Sequence, residues 1–157
     1  MAAQNPFRKK EKAIILDQLT PTIMNYKIKA CSHSNNNASI KIKQTEIGFG
    51  TTSQSTEKLP NPAELFLASF AACILKNVER FSGLMKFTYT KAELTVQATR
   101  LDKPPRMDQL YYNLHVYSQD SNLNTELLKK NIEKFGTIFN TVKIACTING
   151  QIKKITQ

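Results

Sequence analysis

The stretch Asn61–Cys73, NPAELFLASFAAC, reads as the opening of a long helix with a well-marked start. Asn61 suits an N-cap and Pro62 the first helical position. Glu64, three residues after Asn61, completes a capping box and puts negative charge at the positive end of the helix dipole. Between Glu64 and Phe81 the clearly polar residues are Ser69, Lys76, Asn77, Glu79 and Arg80, and four of those five fall in the last third. The first half is therefore expected to be buried on most sides. Ala68, Ser69, Ala71 and Ala72 are small enough to let other elements approach the backbone, and Gly83 is the expected stop. Cys73 lies inside this helix. A free cysteine packs like a small hydrophobe and is among the most buried residue types, so by composition alone it is core filler; the other reading is a reactive site.

Upstream, Asn5-Pro6 with Ile14, Ile15 and Leu19 suggests a short helix over 6–18 in an N-terminal extension of residues 1–21, closed by Pro21. From Thr22 the period changes to two. Met24, Tyr26, Ile28 and Ala30 alternate with Asn25, Lys27, Lys29 and Cys31, the pattern of a half-buried strand. Asn35-Asn36-Asn37 makes a turn, Ile40 and Ile42 mark a hairpin partner, and 48–59 reads as a polar loop. Downstream, strands are expected over 86–100 and 109–118 around a Pro104-Pro105 turn. The apolar phase shifts near Lys91, as at a bulge, and Leu110, Tyr112, Leu114 and Val116 face inward. Leu127, Leu128, Ile132, Phe135, Ile138, Phe139 and Val142 follow a helical period broken at Gly136. A last strand carries Ile144, Cys146, Ile148 and Ile152 on its apolar face.

With 157 residues and 41% apolar content, residues 22–157 are expected to form one domain. No apolar run approaches the roughly 20 residues of a membrane span, and the start lacks a secretory h-region, so a cytoplasmic protein without membrane association is expected. The three cysteines, Cys31, Cys73 and Cys146, show no CxxC or Cys/His spacing. Neither a disulfide framework nor a metal site is suggested, and no cofactor is expected. The formal charge of +10 is spread over separate elements without a recognition motif, which argues against a nucleic-acid partner. It leaves room for an anionic small molecule.

The order of elements is α+β, with little room for a complete core around so apolar a helix. A partner subunit is the economical source of cover. The string Pro60–Cys73, PNPAELFLASFAAC, followed by paired strands, a helix and a strand, resembles the OsmC/Ohr superfamily over nearly all of 22–155. The resemblance implies antiparallel sheets wrapped around long central helices in an intertwined homodimer, with an active site at each subunit interface. In active members it implies thiol-dependent reduction of organic hydroperoxides in the oxidative-stress response, with Cys73 as the peroxidatic cysteine. The Pro-x-Glu-Leu spacing is closer to the less characterised OsmC-like branch; the best-studied hydroperoxide resistance proteins carry the glutamate one place earlier, where this chain has Ala63. The family's second cysteine stands near the break in the C-terminal helical segment, and here that slot in KFGTI is Gly136.

A reactive thiol needs donors or a cation to stabilise its thiolate. Asn77 and Arg80, four and seven residues after Cys73, share its helical face and lean toward it. Family members also bring an arginine from the N-terminal hairpin, where this chain offers only Lys27, Lys29, Lys41 and Lys43. Glu64 is a cap first and a supporting group second, since about 13.5 Å of helix separates it from Cys73. Cys31 reads as a surface residue, His115 as surface or interface, and Cys146 as an inert thiol on an apolar face. Two functions follow. One is a peroxidase-type enzyme that uses Cys73 on a small hydroperoxide and is resolved by an external thiol reductant. The other is a non-enzymatic dimer that binds a small apolar or anionic ligand at the subunit interface.

Overall fold

The computed structural model describes residues 23–55 and 57–156; the expected helix over 6–18 lies outside them. Strands β1 (Lys29–Cys31), β2 (Ala38–Ile42) and β3 (Thr45–Phe49) form an antiparallel sheet in chain order. A 24-residue helix, α1 (Pro62–Met85), follows. Strands β4 (Lys91–Asp102), β5 (Pro105–Tyr117) and β6 (Ile148–Ile155) form a second sheet, with α2 (Thr125–Phe135) and α3 (Thr137–Val142) crossing from β5 to β6. β4 and β5 are an antiparallel hairpin. β6 lies parallel to β5, the direction that a helical crossover permits and a tight turn does not. The fold is α+β.

The core sits between α1 and the second sheet. Phe70, Ile74, Val78 and Phe81 of α1 meet Leu110, Tyr112, Leu114 and Val116 of β5 and Leu128 and Ile132 of α2. Nine of these ten are no more than 1% exposed, Phe81 being 4% exposed, and burying each such side chain stabilises the fold by about 1.5–3 kcal/mol. The inward alternation of β5 is as the sequence predicts. Tyr112 is wholly buried, and its ring lies over Gly150, its register partner on β6, where an added Cβ would fall 2.1 Å from the ring. The phenol then reaches Glu133 of α2 at 3.0 Å.

Helix α1 begins as its sequence dictates. The Asn61 N–H donates to Glu64 Oε2 at 2.8 Å and the Glu64 N–H to Asn61 Oδ1 at 3.0 Å. Its end differs from expectation: the helix runs through Gly83 to Met85, and Lys86 takes the left-handed conformation (φ 56°) with its N–H on the Ser82 carbonyl. No other group approaches within 4 Å of where a Gly83 Cβ would stand, so this glycine lies on an open face and the chain does not turn there.

Other boundaries also move. The strand expected from Thr22 is paired only over Lys29–Cys31, and Ile23, Met24, Tyr26 and Ile28 are exposed rather than half-buried. Their alternation describes extended chain that the other described residues do not cover. Residues 45–49, partly read as loop, form β3, turned back from β2 through Lys43 at φ 56°. Residues 86–90 are a connector and not a strand: the Thr88 N–H donates to Asp120 at 2.9 Å and the Ser118 hydroxyl to the Thr88 carbonyl at 2.6 Å. The register shift lies between Gln97 and Thr99 and not at Lys91, where the strand simply begins. The last strand starts at Ile148, leaving Ile144 85% exposed in the preceding turn. The break at Gly136 is as expected, with α2 ending and α3 beginning on either side of it.

Candidate functional site

On α1, positions 73, 76, 77 and 80 recur at helical spacing and share one face. Cys73, Lys76, Asn77 and Arg80 accordingly line one side of a groove of about 910 Å³. Phe135, Thr137 and Ile138, flanking the joint between α2 and α3, line it as well, together with Met24 and Tyr26 of the segment before β1. Its walls are mainly apolar, and its polar groups are concentrated on α1.

Cys73 is partly buried. Asn77, 7% exposed, donates through Nδ2 to the Cys73 carbonyl at 2.8 Å, and the same nitrogen lies 3.7 Å from Cys73 Sγ. One amide thus fixes its own orientation on the backbone and presents a donor to the sulfur. The Arg80 guanidinium packs over the rings of Phe81 (5.5 Å) and Phe135 (5.9 Å), contacts that hold a long cationic side chain along the groove. Among the described residues, no carboxylate comes within ion-pair distance of Lys76 or Arg80. Glu79, also on the groove, accepts a 2.5 Å hydrogen bond from Tyr89. That bond, with burial and the carboxylate's charge adding to it, pushes the Tyr89 phenol up to about 12.

Gly136 closes one flank of the sulfur. Its N–H bonds to the Ile132 carbonyl at 2.9 Å, ending α2, and the same residue opens α3. With φ at −71° the backbone there accepts any residue, so space and not conformation calls for glycine. An added Cβ would stand 2.8 Å from the Ile132 carbonyl oxygen, 3.0 Å from Phe139 Cβ and 3.4 Å from Cys73 Sγ.

The structure thus brings Cys73, Asn77 and Arg80 together. Glu64 does not join them: it is exposed at the start of α1 and occupied by its capping box. Cys31 is exposed, with Sγ 3.6 Å from His33 Nε2. His115 faces outward from β5, partly buried, across from Glu93 of β4. Cys146 sits just before β6 on a different groove, with Lys129 and Lys143. Its thiol donates to the Met107 carbonyl at 3.1 Å. Burial first, and then the charge of Asp108, pushes this thiol above the usual cysteine range against a smaller opposing effect of Arg106. Among the described residues no cluster of three His, Cys, Asp or Glu side chains is placed to hold a metal, and no helix is long and apolar enough to cross a membrane.

Sequence reasoning passed over Lys76, Phe135, Ile138, Met24 and Tyr26. Lys76 was legible as the residue three after Cys73; the others come from elements whose approach only the tertiary fold decides.

A fold in which a half-buried thiol on a long capped helix faces a glycine joint between two short helices invites comparison with known proteins. Residues 55–150 match the family model described as OsmC-like protein. The chain belongs to the OsmC-like family. The matched segment includes both Cys73 and Gly136, so both sides of the thiol lie within the OsmC-like region. Solved structures share the fold. An OsmC-like protein from Mycoplasma pneumoniae superposes with a TM-score of 0.76 at 18% identity, over 85% of this chain and 99% of that one. An organic hydroperoxide resistance protein OsmC from Legionella pneumophila gives 0.61 at 16% identity, over 83% and 99%. A putative organic hydroperoxide resistance protein from Vibrio cholerae, with captopril bound in one of its active sites, gives 0.61 at 16%, over 85% and 95%. A search of curated proteins found no match for this OsmC-like chain.

Proposed function

We propose that this OsmC-like protein reduces organic hydroperoxides with Cys73 as its single reacting thiol. The observation that carries the reading is the setting of that sulfur: it opens on a mainly apolar groove, with an amide donor and two cations on its own helix. An apolar groove suits the organic part of a hydroperoxide, and donors and cations favour the thiolate that must attack. The Cys73 thiolate attacks the terminal oxygen of the hydroperoxide and displaces the alkoxide, so an S–O bond forms as the O–O bond breaks. The alcohol leaves with the proton, and Cys73 is left as sulfenic acid. The hydroperoxide resistance proteins that share the fold support the assignment.

Gly136 contributes no thiol, so the cycle is closed by an external one. Asn77 and Arg80 are the supporting residues on this reading, and Glu64 acts through the helix start. The protein works in the cytoplasm as a homodimer, with residues 22–157 as one domain. The apolar side chains of Ile23, Met24, Tyr26 and Ile28, and Leu75 and Leu84 on the open side of α1, are the surface a second copy would cover. The interface is expected to exceed roughly 2,000 Å² in total.

Mass measurement after one equivalent of an organic hydroperoxide tests the proposal, with one oxygen atom or its mixed-disulfide successor expected on Cys73. The mainly apolar lining of the groove also suits a second reading, a dimer that binds a small apolar or anionic ligand without chemistry. An unmodified Cys73 after several hydroperoxides, in a protein that still binds such ligands, would decide for it.

A further inference from the structure

We infer that the groove selects the thiol that regenerates Cys73 by charge, and that this reductant is a low-molecular-weight thiol carrying a carboxylate, docked against Lys76 and Arg80. The inference rests on the thiol-peroxidase reading and names the partner of its second half-reaction.

Among the described residues, Cys73 is the one thiol on its groove. Cys146 lines another groove and Cys31 is exposed in β1. Gly136 fills the flank on the α2–α3 side without offering a sulfur, and a Cβ there would already be 3.4 Å from Sγ. A second thiol therefore comes from outside the chain and approaches along the groove. Three charged side chains line that path: Lys76, Glu79 and Arg80. Glu79 directs its carboxylate to the Tyr89 hydroxyl at 2.5 Å, while the two cations have no carboxylate within ion-pair distance among the described residues. Lys76 lies about 4.5 Å beyond Cys73 along the helix axis, the separation of a thiol from a carboxylate a few bonds away, and Arg80 follows one turn further along the same groove. An anionic thiol is thus held with its sulfur toward Sγ, and a cationic one is repelled.

The chemistry balances in two steps. The small thiol's sulfur attacks Cys73 Sγ, an S–S bond forms as the S–O bond of the sulfenic acid breaks, and the oxygen leaves as water with the thiol's proton. A second small thiol then attacks the first one's sulfur, releasing the Cys73 thiolate and a small-molecule disulfide.

The test needs no hydroperoxide. The full-length protein with Cys31→Ser and Cys146→Ala is converted at Cys73 to its 2-thiopyridyl disulfide. Release of 2-thiopyridone is followed with 3-mercaptopropionate, 2-mercaptoethanol and cysteamine, each rate being divided by the thiolate concentration and by the rate of the same thiolate with a small uncharged 2-thiopyridyl disulfide, which removes the thiols' differing intrinsic nucleophilicity. The expected order is anionic, neutral, cationic, with about tenfold between the ends at low ionic strength and less as salt is added. Lys76→Gln and Arg80→Gln, both at exposed positions, are each expected to narrow the range, and Lys76→Glu to reverse it. The same measurement on the protein with all three cysteines, corrected for the other two labels, serves if the double replacement does not fold. Equal corrected rates for the three thiols, or a preference untouched by the Lys76 and Arg80 changes, would overturn the inference. A protein that shows the preference yet leaves every hydroperoxide unreduced would break the peroxidase reading instead.

Discussion

Cys73 and Cys146 are both partly buried thiols of one chain, and they differ in what faces the sulfur. Cys146 points its proton at a backbone carbonyl, with the Asp108 carboxylate nearby, and both neighbours favour the protonated form. Cys73 has the Asn77 amide as a donor at 3.7 Å, and Lys76 and Arg80 share its groove. For Cys146 burial is the larger cause and the Asp108 charge the second. The immediate neighbours of each sulfur are set by secondary structure: a helix presents side chains at 73, 76, 77 and 80 to one space, whereas the turn before β6 leaves Cys146 against the carbonyl of Met107.

The sharpest way to break that comparison is to remove each sulfur in turn. Cys73→Ser is expected to bring hydroperoxide consumption down to the uncatalysed background, while Cys146→Ala and Cys31→Ser keep their turnover per folded molecule. Loss of activity in Cys146→Ala at full folding would show that the two thiols cooperate. Non-reducing peptide mapping after peroxide treatment addresses the same point, and a Cys73–Cys146 bridge in most molecules would contradict their placement on separate grooves.

Alkylation gives the next largest effect. A thiol whose proton is held above the ordinary cysteine range exposes thiolate only as the pH climbs through that raised value. Iodoacetamide near pH 7.5 is therefore expected to modify Cys73 about tenfold faster than Cys146, with Cys146 gaining ground as the pH rises above about 9. Peptide-resolved mass spectrometry follows both sites, and equal rates at pH 7.5 would erase the distinction.

Smaller changes are expected in stability. Gly136→Ala sets a methyl group 2.8 Å from the Ile132 carbonyl oxygen, beside Phe139 and the Cys73 sulfur, and is expected to cost about 1–3 kcal/mol in urea unfolding. A neutral result would show that the joint yields easily. Cys146→Ala loses one hydrogen bond and a partly buried sulfur, and a cost of about 1 kcal/mol is expected. A cost above that of Gly136→Ala would mean that the turn before β6 carries more of the fold than its one bond indicates.

What was legible in the sequence was what neighbouring residues settle among themselves. The Asn61–Glu64 capping box, the alternation of Leu110, Tyr112, Leu114 and Val116, and the break at Gly136 each depend on a few consecutive positions, and all stand as read. The failures came where a local signal met a tertiary fact. Gly83 resembles a helix stop, but nothing packs against it, and the left-handed cap fell to Lys86. The alternation from Met24 to Ala30 describes extended chain correctly and its burial incorrectly, because a strand pattern does not say whether the chain's own residues supply the cover. In the site, Asn77 and Arg80 followed from helical spacing; Phe135 and Ile138 did not, because their approach to Cys73 depends on how tightly α2 and α3 close around the glycine joint.

On the proposed peroxidase reading, that joint would also set the fate of an oxygen placed on Cys73. With one flank of the sulfur taken up by Gly136, the first oxygen is carried on the groove side, where further peroxide arrives by the same path as the rescuing thiol. Among the described residues no second cysteine lines that groove to capture a sulfenic acid. Each turnover is then a race between reductant and oxidant, and when reductant is scarce the loser's product is sulfinic acid, which ordinary thiols do not reverse. The working life of an enzyme acting as proposed would in this way be tied to the supply of small thiols: it would operate where they are plentiful and retire irreversibly where they are exhausted.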